Sequence, residues 1–381
     1  MKPASFAFPT TIHFGPGVRA RLVQELDALA IRRPLVVTDR GVAALGWFGE
    51  LAAALAAAPG VQPAVFSELA GNPRAAHLQA ALGAYRAHRA DGVVAIGGGA
   101  ATDVAKATAL LASNPGGIFE YATDAPAPRR AAAPLPPVLA LPSTAGTGSE
   151  VGRSAVISED TTGRKRVIFE PAMLPRVVLA DPELLLGLPP ELTAATGMDA
   201  LSHLIESFCA TEFHPLCDGI ALEGLRLVDA ALVRSVQAPH DLQARGRMLL
   251  ASIMGAVAFQ KGLGLTHACA HALSAVLDTH HGLANGVLLG WVLRFNTPAA
   301  GERLRRMAVA LELAEPSAEG LLAWLEALRA RVGIPGRLGA LGVRPEHLDR
   351  LAELAAADGC LATNPRPATR EEIRALLAQA L

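Results

Sequence analysis

Along the first half of the chain, short runs of apolar and β-branched residues alternate with longer stretches whose apolar residues recur every third or fourth position. RPLVVTD (33–39), QPAVFSE (62–68), DGVVAIGGG (91–99), PPVLALPST (136–144) and RVVLADP (176–182) are continuous apolar runs bounded by turn residues, as strands buried on both faces require. The stretches near 43–57, 74–89 and 100–112 carry helical periodicity. This alternation predicts a parallel sheet with helices on its faces. SAVISED (154–160) and RKRVIFE (164–170) flank a turn-like DTTG and predict a β-hairpin ahead of the last strand. MKPASFAFPTTIHFG (1–15) reads as a strand entering a turn.

From about residue 184 the strand signals fade, and helical periodicity runs through 191–233, 240–260, 265–278, 283–295, 302–312 and 318–332. A chain of 381 residues exceeds what one core usually organises. Two domains are therefore expected, an α/β domain at 1–183 and an all-α domain at 184–381, with chemistry in the cleft between them.

Composition narrows the partners. Half the residues are apolar (51%), the formal net charge is −1 and no basic stripe is present, which speaks against nucleic acid and membrane-surface binding and for a small-molecule substrate. The start of the chain lacks a signal-peptide pattern, and alanine-rich runs such as LAAALAAAPG are too short to span a bilayer. Cys209, Cys217, Cys269 and Cys360 lack metal-site spacing and fall in apolar helical contexts, so reduced, buried thiols and a cytoplasmic location are expected. Only four of the 34 basic residues are lysines, Lys2, Lys106, Lys165 and Lys261. In a chain that otherwise uses arginine, a retained lysine hints at a place for a compact ammonium.

DGVVAIGGGAATDVAK sets Gly97, Gly98 and Gly99 after a buried strand and at the opening of a helix. Backbone amides at such a helix N-terminus suit a phosphate, although glycine turns also occur there without ligands. No GxGxxG follows the first strand, which argues against an ordinary Rossmann unit. That strand ends instead in Asp39, whose carboxylate could accept from an adenosine ribose and repel a 2′-phosphate, or could merely form a turn. ALPSTAGTGSEVGR gathers Ser143, Thr144, Thr147 and Ser149 in a loop after another buried strand, a second wall for a nucleotide.

The helical half carries the candidate metal chemistry. Asp199 and His203 are four apart in TGMDALSHLIESF, and His267 and His271 are four apart in GLGLTHACAHALSA, so each pair projects from one helical face. His281 follows in HHGLANGVLL. Either pair alone is as readily a capped or surface pair, but the surrounding leucines and alanines predict burial, and buried polar groups need partners. A carboxylate with imidazoles suits Fe(II), Zn(II), Mn(II), Co(II) or Ni(II) without choosing among them.

GGGAATDVAK, PSTAGTGSEV, DPELLLGLP, TGMDALSHLIESF, GLGLTHACAHAL and HHGLANGVLL together resemble the iron-containing (group III) alcohol dehydrogenase family from about residue 10 to the TNPRP segment, and within it the 4-hydroxybutyrate dehydrogenases most. The resemblance implies a dehydroquinate-synthase-like fold, with a nucleotide-binding α/β domain and a helical metal-binding domain. It implies Asp199, His203, His267 and His281 as ligands of Fe(II), or alternatively Zn(II). His271, which spacing alone favours as a ligand, then becomes a proton relay. NAD(H) contacts are implied at Asp39, Asn72, Gly97, Gly98, Gly99, Asp103, Ser143, Thr144, Thr147 and Lys165. Ala100 departs from the serine usual after the glycines, and Arg40 is the one residue that could receive a 2′-phosphate. A homodimer or higher homo-oligomer is expected.

The resulting expectation is a metal-dependent NAD(H) alcohol dehydrogenase in which the cation polarises the substrate oxygen. Arg153 and Lys261 are expected to bind a substrate carboxylate, pointing to a short ω-hydroxy acid and its semialdehyde. Arg153 could otherwise pair with Glu150 or Glu159. The alternatives are a maleylacetate-reductase-type keto-acid reductase and a non-redox, dehydroquinate-synthase-like lyase.

Overall fold

The computed structural model describes residues 6–8 and 10–381, so Lys2 lies outside the described residues. The chain forms two compact units, one of residues 10–144 and 148–185 and the other of residues 186–381 with 145–147 and 6–8.

The first unit runs β1 (Thr11–Phe14), α1 (Leu22–Ala28), β2 (Pro34–Asp39), α2 (Arg40–Ala43), α3 (Gly46–Ala57), β3 (Ala64–Leu69), α4 (Ala75–His88), β4 (Gly92–Gly97), α5 (Gly99–Ser113), β5 (Val138–Pro142), β6 (Ser154–Ser158), β7 (Lys165–Phe169) and β8 (Val177–Ala180). The five apolar runs become β2, β3, β4, β5 and β8. Every residue of β4, β5 and β8 is buried, which is why these strands show no polar alternation. The sheet is parallel in the order β1-β8-β5-β4-β2-β3. The chain steps from β2 outward to β3, then crosses to β4 on the other side of β2 and continues away. The order therefore reverses between β2 and β4, the place where open α/β sheets bind ligands beyond the strand ends. β6 and β7 form the expected antiparallel hairpin. The helix expected at 43–57 is broken, with α2 capped by the Asp39 side chain and α3 starting only at Gly46.

The second unit is helical: α6 (Pro190–Cys209), α7 (Pro215–Gln237), α8 (Leu242–Ala258), α9 (Leu265–Leu277), α10 (His281–Ala310), α11 (Ala318–Arg331), α12 (Leu348–Ala356) and α13 (Arg370–Ala380). From Thr193 to Cys209 α6 is buried on every face, the mark of a central helix. Among the described residues no single helix is long and apolar enough to cross a membrane.

Two expectations need correction here. The stretch 191–233 is two helices, because Pro215 opens a new one and the His214 ring caps it by accepting from the Cys217 N–H. The stretches 283–295 and 302–312 are one 30-residue helix that runs through Pro298. The polar gap between them reads as a break, yet Asn296 is buried and exchanges amide hydrogen bonds with Asn364, so the inner face stays satisfied. Helices α12 and α13 were not expected at all. Among the cysteines, Cys209, Cys217 and Cys269 are free and buried as anticipated, whereas Cys360 is only partly buried in a 3₁₀ turn.

Candidate active site

Asp199 and His203 lie one turn apart on α6, His267 is near the start of α9, and His281 opens α10. One potential ligand atom from each of Asp199, His203 and His267 lies within 4.8 Å of the others, and all three residues are buried. His281 Nε2 is 3.6 Å and His267 Nε2 4.0 Å from Asp199 Oδ1. An ion with bonds of about 2.1 Å would separate tetrahedral ligand atoms by about 3.4 Å. The 3.6 and 4.0 Å spacings lie near that value, the Asp199–His203–His267 group as a whole must tighten from within 4.8 Å, and His281 reaches Asp199 without joining that group of three.

Burial, reinforced by the neighbouring His267, pushes the His203 imidazole down to about 4, so the ring is neutral at physiological pH. Its Nδ1 is buried without a hydrogen-bond partner. A neutral imidazole beside a buried carboxylate and two further imidazoles suits a divalent cation.

Glu206, not singled out from sequence, explains how the site is held. It lies three residues beyond His203 on α6, and its carboxylate accepts from the backbone N–H groups of Gly264, Thr266 and His267. It thus caps α9 and welds that helix to α6. The same carboxylate lies 2.7 Å from His267 Nδ1. Burial opposes charge here, yet this bond raises the His267 pKa and lowers that of Glu206. With a proton held on Nδ1, the His267 Nε2 lone pair faces Asp199. The sequence signal was present, since Asp199, His203 and Glu206 share one helical face.

His271 stands apart from that group. Its Nδ1 is 2.8 Å from Asp358 Oδ2, and its ring stacks on His281 with centroids 5.2 Å apart. Although burial works against it, His271 draws the Asp358 carboxyl down to about 2. Cys360 completes a second cluster of ligand-type atoms, in which Asp358 Oδ2 meets His271 and Asp358 Oδ1 accepts from the Cys360 backbone N–H at 2.8 Å. Asp358 lies 87 residues from His271, beyond the reach of any local pattern.

In the α/β unit, Asp39, Asn72, Gly97–Gly99 and Ser143–Thr144 follow β2, β3, β4 and β5 and so share the sheet edge where these parallel strands end. Gly97 has φ 149°, and a Cβ there would stand 2.9 Å from the Ala101 Cβ and 3.2 Å from Asp39 Oδ2. A Cβ on Gly98 would meet Thr144 Oγ1 at 3.2 Å. A side chain at Gly97 would be both strained and crowded at this turn, which opens the 15-residue helix α5. Asp39 Oδ1 accepts from the Val42 N–H at 2.9 Å, so the turn-forming role is real, while Oδ2 borders Gly97. Thr147 packs with the helical unit, and Lys165 begins β7.

Two of the expected contact residues, Asp103 and Lys261, are engaged within their own units, and Arg153 is not. The Asp103 carboxylate accepts from the Ser149 hydroxyl and the Val156 N–H and is buried beside Lys106, so it ties α5 to the hairpin. Lys261 is buried, with Nζ donating to the Phe208 carbonyl at 3.0 Å and paired with Asp218, so its ammonium is already engaged inside the helical unit. Arg153 pairs with neither Glu150 nor Glu159. Its guanidinium lies 5.7 Å from the Phe169 ring centroid, and Glu159 pairs with Arg166. Lys106 is also fully buried, donating to the Ser149 and Gly152 carbonyls, a role for a compact, three-donor head.

A parallel α/β unit with glycine-rich strand ends, followed by a helical unit holding a buried Asp–His cluster, defines a two-part, dehydroquinate-synthase-like class of protein, and comparison with known proteins makes it specific. Residues 9–182 match the family described as iron-containing alcohol dehydrogenase, and residues 193–381 match its C-terminal part. The chain is 40% identical to the 4-hydroxybutyrate dehydrogenase of Cupriavidus necator, covering 98% of each protein. Its structure is similar to that of a 1,3-propanediol oxidoreductase, with TM-score 0.94, 34% identity and full coverage of both chains. It is also similar to sulfoacetaldehyde reductase from Bifidobacterium kashiwanohense in complex with NAD+, with TM-score 0.90, 29% identity and coverage of 100% and 99%. The chain belongs to the iron-containing alcohol dehydrogenase family and is an alcohol dehydrogenase.

Proposed function

We propose that this enzyme interconverts a short ω-hydroxy acid and its semialdehyde with NAD(H), using a divalent cation, Fe(II) in the first instance, held by Asp199, His203, His267 and His281. The observation that carries the metal reading is the buried convergence of Asp199, His203 and His267, with Glu206 fixing His267 from behind. Bound there, the cation supplies a Lewis acid for the substrate oxygen, and the nicotinamide supplies the hydride acceptor. The sheet edge of Asp39, Asn72, Gly97–Gly99, Ser143 and Thr144 offers amides and hydroxyls for the dinucleotide, with Thr147 and Lys165 as further contacts. Asp39 accepts from the ribose and disfavours a 2′-phosphate. His271, oriented by Asp358, takes the alcohol proton during oxidation and returns it during reduction.

Similarity to a 4-hydroxybutyrate dehydrogenase supports the carboxylated substrate. Arg153 is the remaining candidate to bind its carboxylate, since Lys261 is engaged elsewhere. The test is NADH oxidation by Fe(II)- or Zn(II)-loaded protein with succinic semialdehyde and butanal. A clear preference for the acid is expected, and Arg153→Ala should cost about ten- to a hundredfold in kcat/KM for the acid and little for butanal, the loss of one charge-assisted contact. Equal losses on both aldehydes would remove Arg153 from the reading, and no preference for the acid would remove the substrate class. Matching efficiency with NADH and NADPH would overturn the cofactor assignment.

A further inference from the structure

Asn285 lies one turn beyond His281 on α10 and is fully buried. Its Nδ2 stands 2.7 Å from Asp199 Oδ1, 3.3 Å from His267 Nε2 and 3.2 Å from His281 Nε2. A carboxamide nitrogen carries two hydrogens, so three acceptors share two donors. At the other end of the same group Oδ1 is buried and accepts from nothing. An amide oxygen left unpaired in a dry pocket is costly. What offsets it is positive hydrogen placed where a carboxylate and imidazole lone pairs converge, the place a cation would take.

We infer that Asn285 is a placeholder for the metal ion: its amide hydrogens hold the ligand atoms together in the metal-free protein and withdraw from the imidazoles when the ion enters. This rests on the ligand assignment proposed above. A bound ion claims the same lone pairs, and an N–H cannot point at a lone pair already donated to a metal. Each imidazole nitrogen has one lone pair, so the Asn285 contacts to His267 Nε2 and His281 Nε2 belong to the metal-free state and compete with loading, while Asp199 Oδ1 keeps a second lone pair for the amide. Asn285 is a positioning residue whose loss should tighten metal binding, the opposite of what loss of a ligand does.

The test compares wild type with Asn285→Ala, measuring Zn(II) affinity by competition with a chromophoric chelator and the Tm of metal-free and Zn(II)-loaded protein. The expected result is about tenfold tighter binding in the variant, the scale of one hydrogen bond to a charged group, with a lowered metal-free Tm and a nearly unchanged loaded Tm. Weaker binding would make Asn285 a ligand, and an equal fall in both Tm values would make it an ordinary packing residue. Either result overturns the inference. If Asn285→Ala does not fold without metal, solvent exchange of the wild-type Asn285 side-chain amide decides by NMR. Exchange should be slow in the metal-free protein and faster after Zn(II) loading, and an unchanged rate overturns the inference. If wild type takes up no Zn(II), the ligand assignment itself falls, an outcome distinct from wild type binding and the variant failing to bind more tightly.

Discussion

A histidine ligand is only as well aimed as the group that holds its other nitrogen, and at the residue scale this separates the histidines of the site. His267 is aimed by Glu206, and His271 by Asp358. His203→Ala and His267→Ala are each expected to lose metal and turnover together. His271→Ala should keep its metal and turn over slowly. Metal analysis by mass spectrometry beside the rate decides, and loss of metal from His271→Ala would reverse the assignment. Glu206→Gln keeps the shape but weakens the acceptor, and metal affinity should fall about ten- to a hundredfold, as for other groups behind a ligand. Unchanged affinity would limit Glu206 to capping α9. The pairs at spacing four were legible from sequence, and Glu206 was legible on the same face. Asp358 was not, because no helical period relates residues so far apart.

At the scale of elements, the site depends on how closely α10 approaches α6. The contact is made at Gly282, next to His281, where a Cβ would stand 2.3 Å from the Ala195 carbonyl oxygen and 3.1 Å from the Asp199 Cβ. Gly282→Ala must therefore push the helices apart where Asp199 and His281 converge. The expected cost is about 1–3 kcal/mol of stability, the usual penalty of overpacking, with weakened metal binding measured on the same sample. A variant with unchanged denaturant midpoint and metal affinity would show that the helices shift without consequence. The sequence shows a glycine there but not its neighbour. The unbroken course of α10 through Pro298 was hidden for the same reason, since the partner of Asn296 is Asn364.

At the scale of the whole molecule, a net charge of −1 makes long-range repulsion a small contributor to pH dependence, and single buried groups stand out. Burial raises the Glu150 carboxyl from its ordinary 4.5 to about 7. The folded protein then keeps a proton that the unfolded chain releases between those values. Stability from this group is full below 4.5 and is lost as pH rises through 7, by about 2 kcal/mol between pH 5 and 7. Urea unfolding of wild type and Glu150→Gln at both pH values measures it. The variant should lack this part of the slope, and parallel slopes would mean that Glu150 is ionised in the folded protein.

The sequence by itself determined the parallel strands, most helices and the spacing of Asp199, His203, His267 and His281. These follow from backbone geometry that repeats within two residues or one helical turn, so they are written locally. Tertiary structure decided what each polar group does. Lys261 became the partner of Asp218, Asp103 a brace for the hairpin, Glu206 the support of His267, and Asn285 the amide at the centre of the ligand atoms. A buried polar atom must find a partner wherever packing places one, and which helices face each other is fixed by the burial of apolar surface across the whole unit, not by residues nearby in the chain.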